Sequence, residues 1–148
     1  MSLPVLLVNS SDSLPVVSSS WPLSISVLVV KISEINGVET SGPISVLIPR
    51  DERWTMEGGF NPVLTSLGAE TLNNSIWNLD ATDQSYFIFS TSSIIAPRSV
   101  VTLGFKARFD PRKTKGVYTI TGQIISGSGN ENRVNNNADS EKLNYFAN

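Results

Sequence analysis

The sequence predicts an all-β protein, a sandwich of about seven short antiparallel strands. No stretch keeps the i, i+3, i+4, i+7 apolar spacing of an amphipathic helix for three turns. The apolar segments instead alternate with polar residues or form short continuous runs, and they are rich in Val, Ile, Thr, Phe and Tyr. Gly, Pro, Asn and Asp separate these segments, which is the spacing of an all-β domain.

The first quarter of the chain predicts two strands joined by a connector. Residues 4–11 (PVLLVNSS) fit a short strand, and the Ser- and Pro-rich residues 13–22 fit a connector that is either irregular or an edge strand. Residues 23–35 are the longest strand candidate. Their apolar positions shift from odd to even numbers, which indicates either a β-bulge or a strand buried on both faces.

Two turn pairs follow this strand, Asn36-Gly37 and Gly42-Pro43. Asn-Gly between apolar runs is a strong hairpin signal, so residues 44–49 (ISVLIP) are expected to form the return strand. Residues 50–74 are the least periodic part of the chain, and we expect a loop there with one short strand.

The second half predicts five more strands. Residues 75–80 and 85–90 fit two short strands across a turn. Residues 99–110 and 117–125 alternate between apolar and polar positions, as half-buried antiparallel strands do. The stretch 127–143 carries many asparagines, which tolerate left-handed backbone and bond to their own backbone. We therefore expect it to form an ordered hairpin, with a last edge strand from Ala138 onward.

This strand count and turn spacing favour an immunoglobulin-like sandwich, with a β-barrel or jelly roll as the alternative. The length of 148 residues fits one domain. The expected division is an N-terminal strand and connector at 1–22, the sandwich at 23–143 and a tail or linker at 144–148. We expect the chain to be a fragment of a longer protein.

The composition excludes several kinds of function. The chain contains no Cys and no His, so disulfides, thiol catalysis and imidazole acid–base catalysis are excluded. Its 11 basic and 13 acidic residues give a net charge of -2, which offers no basic surface for nucleic acid. No apolar run reaches the roughly 20 residues needed to cross a bilayer, so membrane insertion is not expected.

Two segments resemble a known kind of domain. NGVETSGPISVLIP at 36–49 and GVYTITGQIISGSGNENRVNNNADSEKL at 116–143 resemble the immunoglobulin-like conserved repeats of bacterial surface proteins, similar to the bacterial cell-adhesion-related domain. The resemblance implies a non-catalytic spacer or adhesion module, extracellular or at the cell surface. It also implies neighbouring domains of the same chain as partners, and no catalytic residues.

Carbohydrate binding is the alternative function, in a module attached to a polysaccharide-acting protein. Aromatic rings stack on sugars, and carboxylates bind sugar hydroxyls. Trp54 lies in the irregular region, beside Asp51 and Glu52. These three residues are the candidate ligand site, and a polysaccharide or a surface protein is the partner it would take.

The asparagine-rich stretch also suggests a metal, although no cofactor is otherwise expected. Ca²⁺ prefers oxygen ligands in loops, but the spacing does not match an EF-hand, and turn formation explains the same residues. The acidic residues elsewhere form no recognisable catalytic pair, so we do not expect an enzyme. The candidate calcium ligands are Glu131, Asn132, Asn135, Asn137 and Asp139.

Overall fold

The computed structural model describes residues 24–110, 116–130 and 137–145. These residues form β-strands and two short 3₁₀ turns, Asn74–Ile76 and Ser128–Asn130. The strands are β1 (Ser24–Ser33), β2 (Ile44–Pro49), β3 (Trp54–Met56), β4 (Ser66–Leu67), β5 (Glu70–Thr71), β6 (Asn78–Asp80), β7 (Tyr86–Thr91), β8 (Val100–Phe109), β9 (Gly116–Ile124) and β10 (Ala138–Tyr145).

Two antiparallel sheets pack face to face. One has the strand order β1-β8-β3 and the other β10-β9-β2-β7-β6, while β4 and β5 form a small separate hairpin. All the pairings are antiparallel in the described part of the chain. The prediction of an all-β, immunoglobulin-like antiparallel sandwich is confirmed.

The core lies between the two sheets and is rich in aromatic rings. Phe89 of one sheet stacks on Phe105 of the other, with ring centroids 5.6 Å apart, and Trp77 is 2% exposed. Burying one such side chain stabilises the fold by roughly 1.5–3 kcal/mol. The core also contains Leu28, Val30, Ile32, Ile44, Val46, Ile48, Trp54, Ile95, Leu103, Ala107, Phe109, Tyr118 and Ile124.

The structure decides between the two interpretations of the shifted apolar pattern in β1. The strand pairs with β8 without a break, from Ser24↔Phe109 to Ser33↔Val100, so β1 contains no bulge. Its even-numbered apolar residues face the core, while Val29 packs against the β4–β5 hairpin and is 1% exposed. The pattern therefore reflects a strand that is covered on both faces.

The predicted hairpin at Asn36-Gly37 is wrong. β1 and β2 belong to different sheets, and the loop 34–43 crosses from one to the other. β1 and β2 each direct an apolar face into the same core, but they do so from opposite sides. A hairpin would have paired the two strands within one sheet, so that both apolar faces approached the core from the same side. Gly37 still serves a turn, because its φ of 76° lies in the left-handed region that favours glycine.

The irregular region contains more structure than predicted. Three short strands, β3 to β5, lie where one was expected, and the 3₁₀ turn Asn74–Ile76 replaces the start of the strand predicted at 75–80. The Asn74 side chain bonds to the backbone of Gly104 and so takes the place of strand pairing at this point.

The later strands match their predictions. β8 and β9 alternate as expected, and β10 begins at Ala138 at the edge of its sheet. Pairing with β9 carries β10 to Tyr145, two residues beyond the expected end of the sandwich at 143. The predicted strand at 4–11, the connector and the end of the tail lie outside the described residues, so the division into 1–22, 23–143 and 144–148 stays a prediction.

The sandwich has two ends, which we call apical and basal. Loops 34–43, 92–99 and 125–130 form the apical end, and loops 50–53 and 81–85 lie at the basal end. The first residue of β1 pairs with the last of β8, and the last residue of β10 pairs with the first of β9. β1 therefore starts, and β10 stops, at the basal end. None of the described helical turns has the length and apolar character to cross a membrane.

Candidate interaction surface

The apical end carries several exposed apolar side chains. Ile35 and Val38 are 52% and 55% exposed in loop 34–43, and Ile94 is 63% exposed in loop 92–99. Val100, the first residue of β8, is 51% exposed. We call these four residues the apical surface. Exposed apolar groups on neighbouring loops are typical of a contact surface for another molecule or domain.

A buried carboxylate holds the two loops together. Glu34 is 1% exposed, and its Oε1 accepts a hydrogen bond from the Asn36 N–H at 2.7 Å. Its Oε2 accepts bonds from the N–H groups of Gly37 and Arg98, both at 2.9 Å. One side chain thereby fixes the backbone of both loops.

This environment keeps Glu34 ionised. Burial by itself would raise the pKa of the carboxyl, but the backbone N–H donors of Arg98, Asn36, Gly37 and Val38 together outweigh it and hold the pKa below its ordinary value. Hydrogen bonds to a charged acceptor are the stronger kind, so this contact is well suited to hold a loop in one conformation.

Further hydrogen bonds hold the backbone of the apical loops in place. The Thr40 N–H donates to the Ile95 carbonyl at 3.0 Å, and the Ile95 N–H donates to the Thr40 Oγ1 at 2.8 Å. The third loop joins through Gly129, whose carbonyl accepts from Ser41 and whose N–H donates to Pro43. The apical surface is therefore displayed on a backbone fixed in advance, which lowers the entropy lost on binding.

Arg98 places a positive charge beside this surface. Its backbone has a φ of 56°, and its side chain lies over Gly37, where an added Cβ would come within 3.3 Å of the Arg98 Nε. Glu39 is exposed on the facing loop. Apolar groups flanked by one cation and one anion are typical of a binding surface.

The predicted sugar-binding residues lie at the opposite, basal end. Trp54 is only 3% exposed, and its ring lies against Phe105 and Phe87, with centroids 6.1 and 5.4 Å away. A ring enclosed in this way has no face to offer a sugar. The choice of Trp54 as a stacking residue is corrected, because the pairing of β3 with β8 turns this side chain into the core.

Asp51 and Glu52 lie next to Trp54, and Asp51 serves the turn, where its Oδ1 accepts the Arg53 N–H at 2.9 Å. Asp51 binds the guanidinium of Arg53 through two contacts of 2.7 and 2.8 Å, and Arg53 lies over the Tyr118 ring, 4.2 Å from its centroid. Burial raises the pKa of the Tyr118 hydroxyl above its ordinary value. Glu52 is exposed. The three predicted residues adjoin one another in the chain, but the ring that would bind a ligand faces inward.

Two of the five candidate calcium ligands, Asn137 and Asp139, lie among the described residues. Glu131, Asn132 and Asn135 lie outside the described residues. Asn137 is 5% exposed and its carbonyl accepts the Ile124 N–H, while Asp139 Oδ1 accepts the Ser140 N–H. Across 24–110, 116–130 and 137–145, no three acidic side chains come together to hold a metal ion. Calcium at this loop stays a prediction.

Sequence reasoning missed the apical surface and its anchor. Glu34 stands between a long apolar strand and an Asn-Gly turn. A carboxylate two or three residues before a turn can accept the N–H groups of that turn, and this was the available signal. The contact with Arg98, 64 residues away, is a tertiary feature that no local pattern reveals.

Comparison with known proteins adds a structural likeness. The chain matches no family model and no curated protein by sequence. It is similar in structure to domains D2 and D3 of the major pilin SpaD from Corynebacterium diphtheriae, with a TM-score of 0.51 and 11% identity. The likeness covers 82% of this chain and 45% of that one.

The full-length structure of the same pilin gives a TM-score of 0.48 and 14% identity, with coverage of 82% of this chain and 30% of that chain. The chain thus spans less than half the length of either pilin structure. At these identities the likeness concerns the fold: two sheets packed as a sandwich.

Proposed function

We propose that the chain is a non-catalytic immunoglobulin-like module of a bacterial surface protein, acting there as a spacer or adhesion element. The observation that carries the proposal is the likeness of the sandwich to pilin domains D2 and D3 over 82% of the chain. The resemblance of 36–49 and 116–143 to repeats of bacterial surface proteins points the same way. The setting would be extracellular or at the cell surface.

The use of the acidic residues supports a non-catalytic role. Asp83 Oδ1 accepts the N–H groups of Ser85 and Tyr86, both at 2.8 Å, and Asp80 Oδ1 accepts the Thr82 N–H and hydroxyl. The hydrogen bond from the Thr82 hydroxyl is the largest cause lowering the pKa of Asp80. These carboxylates accept backbone hydrogen bonds that shape turns, which is a structural use of the side chain.

The partner we propose for the apical surface is a neighbouring domain of the same chain. Contacts between domains of one chain are modest in area and mix apolar with polar groups. Four exposed apolar residues with Arg98 and Glu39 beside them fit that description. Their backbone is already fixed by Glu34, so docking would order few additional residues.

Surface exposure can be tested directly on the organism that makes the protein. Antibodies against the purified domain are expected to label intact cells, and brief external protease treatment should remove the label. A cytoplasmic protein of the same cells is the control and should be labelled only after permeabilisation. Labelling of this domain only in permeabilised cells would overturn the proposal.

The carbohydrate alternative has a separate test. With Trp54 buried, it would depend on groups such as Tyr86, which is 38% exposed. We expect the purified domain to stay in the supernatant when mixed with insoluble cellulose, chitin or xylan, with or without chelator. Retention on one of these polymers would favour the carbohydrate module, and retention lost with chelator would favour calcium at 131–139.

A further inference from the structure

The turn at Asn36 contains a chemically reactive sequence. Asparagine followed by glycine is especially prone to lose its side-chain amide (deamidation), because a residue without a Cβ leaves its backbone nitrogen open to the neighbouring side chain. Asn36-Gly37 is the one such pair in the sequence. Asn36 is exposed, so water can reach its side chain. The turn therefore has the residue type, the neighbour and the solvent access that deamidation needs.

Deamidation of Asn36 would proceed through a cyclic intermediate. The Gly37 nitrogen loses its proton to water and attacks the Asn36 Cγ. An N–Cγ bond forms, the Cγ–Nδ2 bond breaks, and the leaving nitrogen takes up a proton and departs as ammonia. Water then opens the succinimide ring at either carbonyl, which leaves aspartate or isoaspartate at this position. For the attack, the Gly37 N–H must be released from its acceptor and the backbone of Asn36 must rotate.

The carboxylate of Glu34 opposes both of these changes. Its Oε2 accepts the Gly37 N–H at 2.9 Å, and its Oε1 accepts the Asn36 N–H at 2.7 Å. These two N–H groups are separated only by the φ and ψ rotations of Asn36, so a carboxylate that holds both also fixes those two angles. Its negative charge beside the Gly37 nitrogen further disfavours removal of the proton.

Contacts outside the turn keep Glu34 in place. Its side chain is buried and also accepts the Arg98 N–H, while its own N–H donates to the Ser99 carbonyl at 2.9 Å. Beyond the turn, the Thr40 N–H donates to the Ile95 carbonyl. All of these partners lie on the facing loop, so the arrangement around Asn36 requires the folded protein and is lost in the isolated turn.

We propose that Asn36 is a deamidation site that Glu34 keeps unreactive in the folded domain. Opening of the apical loops would release the Gly37 N–H and allow the reaction to start. The product carries a new carboxylate between Ile35 and Val38, and isoaspartate also lengthens the backbone by one atom. The modification would therefore change the apical surface irreversibly. Its effect on docking rests on the proposed function, but the protection of Asn36 by Glu34 does not.

Incubation of the full chain at neutral pH, followed by peptide mapping with mass spectrometry, measures the rate of amide loss at Asn36. We expect the folded protein to react at least about tenfold more slowly than the synthetic peptide 33–41, which keeps Glu34 but lacks the facing loop. Glu34→Gln should accelerate the reaction in the full chain by about fivefold or more, because a neutral amide replaces the charged acceptor. Methylation by an isoaspartate methyltransferase detects the isoaspartate product independently.

Two control variants separate the effect of the anchor from other effects. Glu39→Gln removes a charge from an exposed position of the same loop. Gly104→Ala crowds Leu72 in the middle of β8, where the added Cβ would lie 2.8 Å from Leu72 Cδ2, and leaves the apical loops unchanged. Both variants should lose the Asn36 amide at the rate of the parent. Circular dichroism during the incubation shows that each variant remains folded, and the comparison of parent with peptide requires no variant.

Three outcomes would overturn the proposal. The folded parent could lose the amide as fast as the peptide. Glu34→Gln could react at the rate of the parent. Gly104→Ala could accelerate the reaction as much as Glu34→Gln, which would show that overall stability protects Asn36 and the Glu34 anchor does not. None of these outcomes depends on cell labelling, so failure here is distinguishable from failure of the surface proposal.

Discussion

Glu34 and Trp54 show how burial decides the role of a side chain. Glu34 carries a charge and is buried, because backbone N–H groups replace the water it loses. Trp54 was the best candidate for an exposed stacking ring, and instead it fills the core beside Phe87 and Phe105. At the scale of single residues, burial and hydrogen-bond partners decide what a side chain does. Neither can be predicted from the residue type alone.

Replacing Trp54 by alanine tests its role as a core residue. We expect Trp54→Ala to lower the free energy of unfolding by roughly 3–5 kcal/mol, because it leaves a cavity between the sheets. Urea titration measures this change. Tyr86→Ala is the control on a 38% exposed aromatic, and its effect should be much smaller. Equal losses for the two variants would contradict the assignment of Trp54 to the core.

The acid dependence of stability tests Glu34. Because its folded-state pKa lies below the ordinary value of 4.5, its contribution is present above that pH and is lost as pH falls through the folded-state pKa. Glu34→Gln has one acceptor oxygen instead of two, so we expect a loss of about 1–3 kcal/mol at pH 7. The variant should also lose less stability than the parent on acidification.

Glu39→Gln provides the comparison, because Glu39 is exposed on the same loop. The thermal unfolding midpoint of Glu39→Gln, measured at a series of pH values from 7 to 2, should follow that of the parent protein. Parallel acid curves for the parent and Glu34→Gln would argue against an ionised Glu34 as the anchor of the apical loops.

At the scale of elements, Asn74 joins the irregular region to the main sheet. Its Nδ2 donates to the Gly104 carbonyl at 2.8 Å and to the Asn61 carbonyl at 3.0 Å, while its Oδ1 accepts the Gly104 N–H. The amide thus makes the contacts that a neighbouring strand would make to β8. This explains how a segment with little regular structure is held in place.

Replacing the side-chain amide of Asn74 by a carboxyl group should strongly destabilise the folded protein. Asn74→Asp removes two donors and directs an acceptor at two carbonyl oxygens, so we expect a loss of about 2–3 kcal/mol in the free energy of unfolding. Chemical denaturation at pH 7 measures it. Asn78→Asp, at an exposed position of β6, is the control. A loss no greater than that of the control would mean that Asn74 is not the link between these elements.

The contact between β8 and the segment after β5 depends on a glycine. A Cβ at Gly104 would lie 2.8 Å from Leu72 Cδ2 and 3.2 Å from Cδ1. We expect Gly104→Ala to destabilise the fold by about 1–3 kcal/mol through overpacking.

Combining Gly104→Ala with Leu72→Ala provides the control, because the second change removes the atoms that clash. The loss in the double variant should be smaller than the sum of the single losses, measured as a double-mutant cycle from urea titrations. Simple additivity would show that the glycine is needed for another reason.

At the scale of the whole molecule, the two sheets share one core. Trp54 belongs to the smaller sheet, while Phe89 of the larger sheet stacks on Phe105 of the smaller. Neither sheet can separate without exposing these rings.

We therefore expect unfolding in urea to be a single cooperative transition. Tryptophan fluorescence, which reports on the core, and far-UV circular dichroism, which reports on the strands, should give coincident midpoints. If residues 131–139 bind calcium in the folded state, addition of the ion should raise this midpoint. If they do not, the midpoint should stay unchanged. Two separate midpoints would show that one sheet unfolds independently.

The sequence alone determined the fold class and most of the long strands. The alternation in β8 and β9 could be predicted, because a half-buried strand places every second side chain in the core. The start of β10 at Ala138 could be predicted because the asparagine-rich stretch before it favours a turn. The absence of Cys and His also limited the possible chemistry without any structure.

The tertiary structure decided how the strands pair and which side chains remain exposed. It separated β1 and β2 into different sheets, enclosed Trp54 and joined Glu34 to Arg98 across 64 residues. These features depend on contacts between segments distant in sequence, and local patterns carry no information about them. The sequence could therefore predict that the chain forms a sandwich, and only the packed structure identified the apical surface and its anchor Glu34.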